Sequence, residues 1–208
     1  MKSGSHDLIS LQRNTDKWEK PMIVTIERKK FTLFYDYDRK KIQKLSDLGK
    51  KEWFKKRMEM VFLNPLSKIF DQKNNELNNS ETFFLIGAFS MLLNGIEALG
   101  SFMTSSQSNH ERFKIYIEDY LKNWSSYEYD LWNYFRNGIA HSFTIEKGGI
   151  QYLSGNLTHT KRNGLLKIDP KKFFEDFKKG LALYFLDINK NNTNVGRNFM
   201  KRFNSVYH

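Results

Sequence analysis

TFFLIGAFSMLLNGIEALGSFM, from Thr82 to Met103, is the stretch that most restricts what this chain can become. It is apolar almost throughout and long enough to cross a bilayer as a helix. Two features argue against that use. Asn94 and Glu97 interrupt the run, and a carboxylate at membrane depth is costly. No basic cluster flanks the run closely on either side to orient it in a membrane. The alternative is a helix buried at the centre of a folded domain, with the rest of the chain wrapped around it. No association with a membrane is expected.

The composition supports a packed interior. Of 208 residues, 39% are hydrophobic and 15% aromatic, with 18 Phe, 10 Tyr and 4 Trp, which is too rich for wholesale disorder. Only 3 prolines and 12 glycines favour long regular elements. There are no cysteines, so disulfides, thiolate metal sites and a cysteine nucleophile are excluded within this sequence. The opening MKSGSHDLIS lacks the apolar core of a secretion signal. A cytoplasmic location is the expectation. The net charge of +11 favours polyanionic partners, nucleic acid first. Lysine-rich coding bias accounts for such a surplus equally well.

Residues 1–20 read as a loose polar segment. MIVTIERKKFTLFYDY, Met22–Tyr37, has the β-branched and aromatic content of one or two strands. Asp36 and Asp38 share a face there, and an exposed turn explains them better than a metal site. Ser46 is placed to cap an amphipathic helix through about Ile69. DQKNNELNNS is a hydrophilic linker, after which Asn79 or Ser80 caps the central helix. Another helix is predicted over about 109–123, and Ser125 or Ser126 caps the next. Gly148-Gly149 reads as one hairpin turn and Asn163-Gly164 as a second. Asp169-Pro170 opens a helix to about Asn189, and the tail makes a short final helix. The expected fold is therefore mainly α: a helical bundle (residues 76–208) with hairpins at about 142–168. An N-terminal segment (1–75) of one or two strands and an amphipathic helix packs on it.

The chemistry-bearing stretch is NYFRNGIAHSF, Asn133–Phe143. It sets Arg136, Asn137 and His141 among aromatic and aliphatic neighbours at a helix end. A capped helix end with a basic fringe is the plain reading. Arg-Asn recurs at Arg13-Asn14, Arg162-Asn163 and Arg197-Asn198, but only Arg136 is followed five positions later by histidine. Histidine titrates near neutrality and can act as a general base. Arginine keeps its charge and can hold two phosphate oxygens at once. Together they suit cleavage of RNA without metal, in which the ribose 2′-hydroxyl attacks the adjacent phosphate.

FRNGIAH resembles the signature of the HEPN superfamily, small helical bundles of prokaryotic toxins, phage-defence effectors and RNA-guided RNA nucleases. Arg136, Asn137 and His141 match its pattern of arginine, polar residue, three further residues and histidine. An apolar helix, another helix and then the motif helix also follow the family's order, over about residues 80–190. The segment before that range and the hairpins after the motif depart from the minimal bundle. The resemblance implies a metal-independent endoribonuclease with RNA as substrate and no cofactor. His141 would be its general base and acid, Arg136 the phosphate clamp and Asn137 the positioner. It also implies a homodimer with a composite site, and a cognate antitoxin or defence-system partner. The alternative is a non-catalytic RNA-binding or protein-interaction module.

Ideal helical geometry sharpens the dimer expectation. At about 100° per residue, Arg136 and His141 stand about 140° apart around the axis, so one helix does not focus both. Glu97 and Asn94 are the second anomaly, one turn apart on an apolar helix. A buried carboxylate needs a cationic or hydrogen-bonding partner. Glu97 then faces Arg136 or His141 and holds it, or else reaches solvent or a structural lysine. Further RNA contacts are available from GKKEWFKKR (Lys50, Lys51, Lys55, Lys56 and Arg57), although such a run is more commonly a solvated helix face. Trp132 and Tyr134 can stack on bases or serve the dimer interface. The remaining histidines, His6, His110, His159 and His208, show no metal-ligand spacing.

Overall fold

The computed structural model describes residues 23–32, 39–70, 79–142, 144–151, 153, 156–190 and 192–207. Asp36 and Asp38, the segment 1–20 and most of the linker lie outside these residues.

The element order is β1 (Ile23–Ile26), β2 (Lys29–Thr32), α1 (Arg39–Gln43), α2 (Asp47–Arg57), α3 (Asn64–Phe70), α4 (Asn79–Gly100), α5 (Asn109–Tyr120), α6 (Glu128–Asp130), α7 (Gly138–Ser142), β3 (Gly148–Ile150), β4 (His159–Arg162), β5 (Leu165–Ile168), α8 (Pro170–Asn189) and α9 (Asn194–Val206). The fold is mainly α. α2 and α3 are one continuous helix joined by a π-helical segment, Met58–Leu63. Pro65 accounts for that irregularity: it has no N–H to offer the Val61 carbonyl, and the widened turn precedes it.

Local capping chemistry sets several boundaries. The Ser46 hydroxyl accepts from the Gly49 N–H and starts α2. Asp169 accepts from the N–H groups of Lys171 and Lys172, with Pro170 at the first helical position. Other boundaries differ from the sequence expectation. Asn79 and Ser80 both lie inside α4. Ser125 and Ser126 lie within a 3₁₀ turn, Lys122–Tyr127, and α6 follows without a side-chain cap.

α4 is the central helix. Leu92, Leu93 and Ile96 are fully buried, and α4 packs most extensively against α5. No helix among the described residues is long and apolar enough to cross a membrane. Aromatic rings fill the space around it: Phe89 meets Phe135 and Phe173 edge-on, and Tyr116 packs on Phe177 and Tyr184. One buried cluster runs from Ile26 and Phe31 in the first hairpin to Phe203 in α9, so the N-terminal segment shares its core with the bundle.

The β excursion after the motif differs from two successive hairpins. β4 and β5 form one, turning at Asn163 and Gly164, both with positive φ (52° and 76°). Gly148-Gly149 is not a turn. These glycines belong to β3, which pairs parallel with β5 in the order β3-β5-β4. A Cβ at Gly148 (φ 153°) would stand 2.3 Å from the Leu166 carbonyl oxygen and 2.8 Å from the Phe135 ring. The glycine is there for close approach.

Candidate active site

The motif is carried by an irregular helix. α6 widens into a π-helical segment, Leu131–Asn137, and narrows again into α7. Leu131, Phe135 and Ile139 are buried and fix one edge of it against α4. Trp132, Arg136 and Asn137 are half-buried, and His141 is exposed. π-helical turns carry more residues than α turns and recur at functional sites. The separation of about 140° for an ideal α-helix therefore does not hold across Arg136 to His141.

Gly138 lets the chain fold back on this helix. The Thr144 N–H donates to the Gly138 carbonyl at 3.3 Å, and the Glu146 N–H to the Tyr134 carbonyl at 3.4 Å. A Cβ on Gly138 would lie 2.5 Å from the Thr144 carbonyl oxygen. The glycine within FRNGIAH is thus set by packing.

Arg136 is the most constrained side chain of the motif. Its Nη2 donates to Glu97 Oε2 at 2.6 Å, and Nη1 to Asn137 Oδ1 at 3.0 Å. Its guanidinium lies over the Trp132 ring, 4.8 Å from the centroid. The Glu97–Arg136 pair is largely shielded, with side chains 16% and 15% exposed. Of the outcomes open to Glu97 from sequence (Arg136, His141, solvent or a structural lysine), the contact with Arg136 is the one the structure shows. A guanidinium has five N–H donors and two are committed here. Nε is shut off from solvent without a partner, leaving two donors on the terminal nitrogens for a ligand.

Two residues that sequence reasoning passed over extend the arrangement. His110 stacks on Trp132, with ring centroids 5.1 Å and planes 23° apart. Its Nε2 is 2.7 Å from Glu128 Oε1. The contacts therefore run Glu97, Arg136, Trp132, His110, Glu128 across α4, the motif helix and α5. Nothing local in the sequence joins positions 110 and 128; the packing of α5 on the motif helix does. His141 makes no hydrogen bond or ion pair with any described residue.

The other sequence candidates are placed differently. Asn94 is exposed and its amide donates to the Ser90 carbonyl at 2.9 Å. It lines an apolar groove with Phe54, Met58 and Phe62 and does not reach Arg136. Trp132 is half-buried, held between Arg136, His110 and Phe113. Tyr134 is also half-buried and lies under Lys147, 5.2 Å away. The run Lys50–Arg57 is divided between interior and surface, Lys55 and Lys56 being exposed. Lys51 is buried, Lys50 donates to Asn204, Lys55 and Lys56 pair with Glu59, and Arg57 lies over Trp53. These five cations do not form one open surface.

Among the described residues no group of three or more His, Asp or Glu side chains is placed to hold a metal ion. Compared with protein-family models, curated proteins and solved structures, the chain matches none.

Proposed function

We propose that this protein is an RNA endonuclease of HEPN type, cutting without metal through Arg136 and His141. The observation that carries the reading is the Glu97–Arg136 contact of 2.6 Å, with Asn137 and Trp132 completing the grip. A long cationic side chain is held at one place, five residues before an exposed imidazole. Pre-positioned charge of this kind stabilises a transition state without reorganisation.

In the proposed reaction His141 takes the proton of a ribose 2′-hydroxyl. The 2′-oxygen forms a bond to phosphorus, and the bond from phosphorus to the 5′-oxygen breaks. A protonated imidazole returns a proton to that leaving oxygen. Arg136 neutralises charge on the non-bridging oxygens, and Asn137 positions Arg136 through its Oδ1. The products are a 2′,3′-cyclic phosphate, or the 3′-phosphate from its hydrolysis, and a 5′-hydroxyl. A homodimer bringing two motifs together supplies two of each group to one cleft. A toxin or phage-defence role with a cytoplasmic location and an antitoxin-like partner accompanies this reading.

The second reading is a non-catalytic RNA-binding or protein-interaction module. The same contact favours it from the other side: Glu97 already answers the charge that a phosphate would need. Labelled RNA incubated with the protein in EDTA separates the two. Cleavage with cyclic-phosphate ends, abolished by His141→Ala in a folded protein, supports the nuclease. Binding without cleavage supports the module.

A further inference from the structure

A second basic site lies just beyond the C-terminal end of α4. A cavity of about 190 Å³ opens between the α4–α5 loop and α9. Arg112, Lys201 and Arg202 line it together with Thr104, Ser105, Ser106 and Ser205, and no carboxylate does; Ser101 also borders it, but its hydroxyl donates to the Ala98 carbonyl at 2.6 Å.

The cavity is a built feature. On α9, Asn198, Lys201, Arg202 and Ser205 follow helical spacing along one edge, while Phe199 and Phe203 are buried on another. Asn198 ties α9 to the loop by donating to the Met103 carbonyl. Arg112 folds the loop, with Nε donating to the Ser106 carbonyl at 2.9 Å, Nη1 to Asn109 and Nη2 to Gln107. The Thr104 hydroxyl accepts from the Ser106 N–H, and the Ser106 hydroxyl from the Ser108 N–H.

Arg202 is the informative residue. Its guanidinium makes no hydrogen bond or ion pair with any described residue, and its Nε is closed to solvent. Lys201 likewise pairs with no described carboxylate. A half-buried guanidinium whose terminal nitrogens meet no described carboxylate, beside a second such cation and the serine hydroxyls of the loop and α9, leaves positive charge unanswered at the cavity. Arginine and hydroxyl donors match phosphate oxygens in geometry and charge.

We propose that this cavity binds a phosphate group, either free or at the end of an oligonucleotide. The walls offer no aromatic ring for a base, so the phosphate is the part recognised. Ser101 directly follows α4, four residues after Glu97, so the pocket neighbours the Arg136 site but shares no residue with it. The assignment does not depend on RNA cleavage.

The test is a calorimetric titration of the full chain with inorganic phosphate, and with one RNA oligomer bearing either a 5′-phosphate or a 5′-hydroxyl. Saturable binding is expected, weakened at least tenfold by Arg202→Gln and by the more exposed Lys201→Gln. If inorganic phosphate binds and the two oligomers bind alike, the ligand is free phosphate. If the 5′-phosphorylated oligomer binds at least tenfold tighter than its 5′-hydroxyl twin, it is a terminal phosphate. Absence of saturable binding, or binding indifferent to both substitutions in folded protein, overturns the proposal.

Discussion

Arg136 and Arg202 are both half-buried arginines near α4, and their surroundings are opposite. Arg136 is met by a carboxylate, an amide and an indole face. Arg202 has no such partner and borders a cavity. Positive charge alone therefore does not mark where an anion binds. A guanidinium already answered by the protein is a positioned group, whose worth to a ligand depends on its remaining donors. An unanswered one keeps its full charge for whatever enters. The +11 net charge says nothing about which lysines and arginines are of either kind.

Exchanging the properties of the two sites should expose the difference. The largest effect is expected for His141→Ala, which should slow RNA cleavage by about 10²–10⁴-fold, the usual contribution of a general acid–base group. Because His141 is exposed, thermal unfolding should be unchanged, and phosphate titration of the α9 pocket should be unaffected. Loss of stability alongside activity would make the histidine a packing residue.

Next comes the pair of arginine substitutions. Arg136→Ala leaves Glu97 shielded and unpaired, and should lower unfolding free energy by roughly 2–4 kcal/mol. Arg202→Gln removes a cation without a carboxylate partner, and in phosphate-free buffer should change stability by less than about 1 kcal/mol. Urea unfolding of both variants checks this. Equal losses would erase the distinction drawn between the two sites.

A smaller effect is expected at Gly138. Its replacement by alanine sets a methyl group against the Thr144 carbonyl, at a cost of about 1–3 kcal/mol. Thermal melts of Gly138→Ala measure it, and an unchanged transition would show that the chain after the motif yields freely.

The smallest concerns pH. Burial among Trp124 and Tyr127 holds His159 below its ordinary value of 6.5, with Asp176 opposing. A depressed histidine contributes stability that is complete above 6.5 and is lost as pH falls through the folded value. Melting temperatures of wild type and His159→Gln, taken between about pH 7 and about pH 5, should converge as pH falls. A constant difference would remove His159 from the pH response.

What could be read in the sequence followed the range of the interaction concerned. Ser46 before α2, Asp169-Pro170 before α8 and Asn163-Gly164 between strands act within a few residues, and their spacing reveals them. The apolar run around Leu92 and Ile96 announced a buried helix because few other places accept it. Glu97 was legible in part: a carboxylate there required a partner, and Arg136 stood beside His141, solvent and a structural lysine as the alternatives. Gly148 was misleading because a glycine needed for close approach looks the same as one needed for a turn. The parallel pairing of β3 with β5 and the His110–Glu128 contact each span eighteen residues and leave no local trace. The π-helical form of Leu131–Asn137 also has no residue signature, yet it sets the rotation between Arg136 and His141.

The most direct measurement of the proposed composite site is complementation between inactive variants. His141→Ala and Arg136→Ala proteins are mixed under exchange, heterodimers are isolated, and RNA cleavage is followed in EDTA. If motifs from two chains meet in one cleft, each heterodimer pairs an intact histidine with an intact arginine, and cleavage returns well above either parent. Heterodimers that form and remain as inactive as both parents, beside an active wild type, would contradict a site shared between chains.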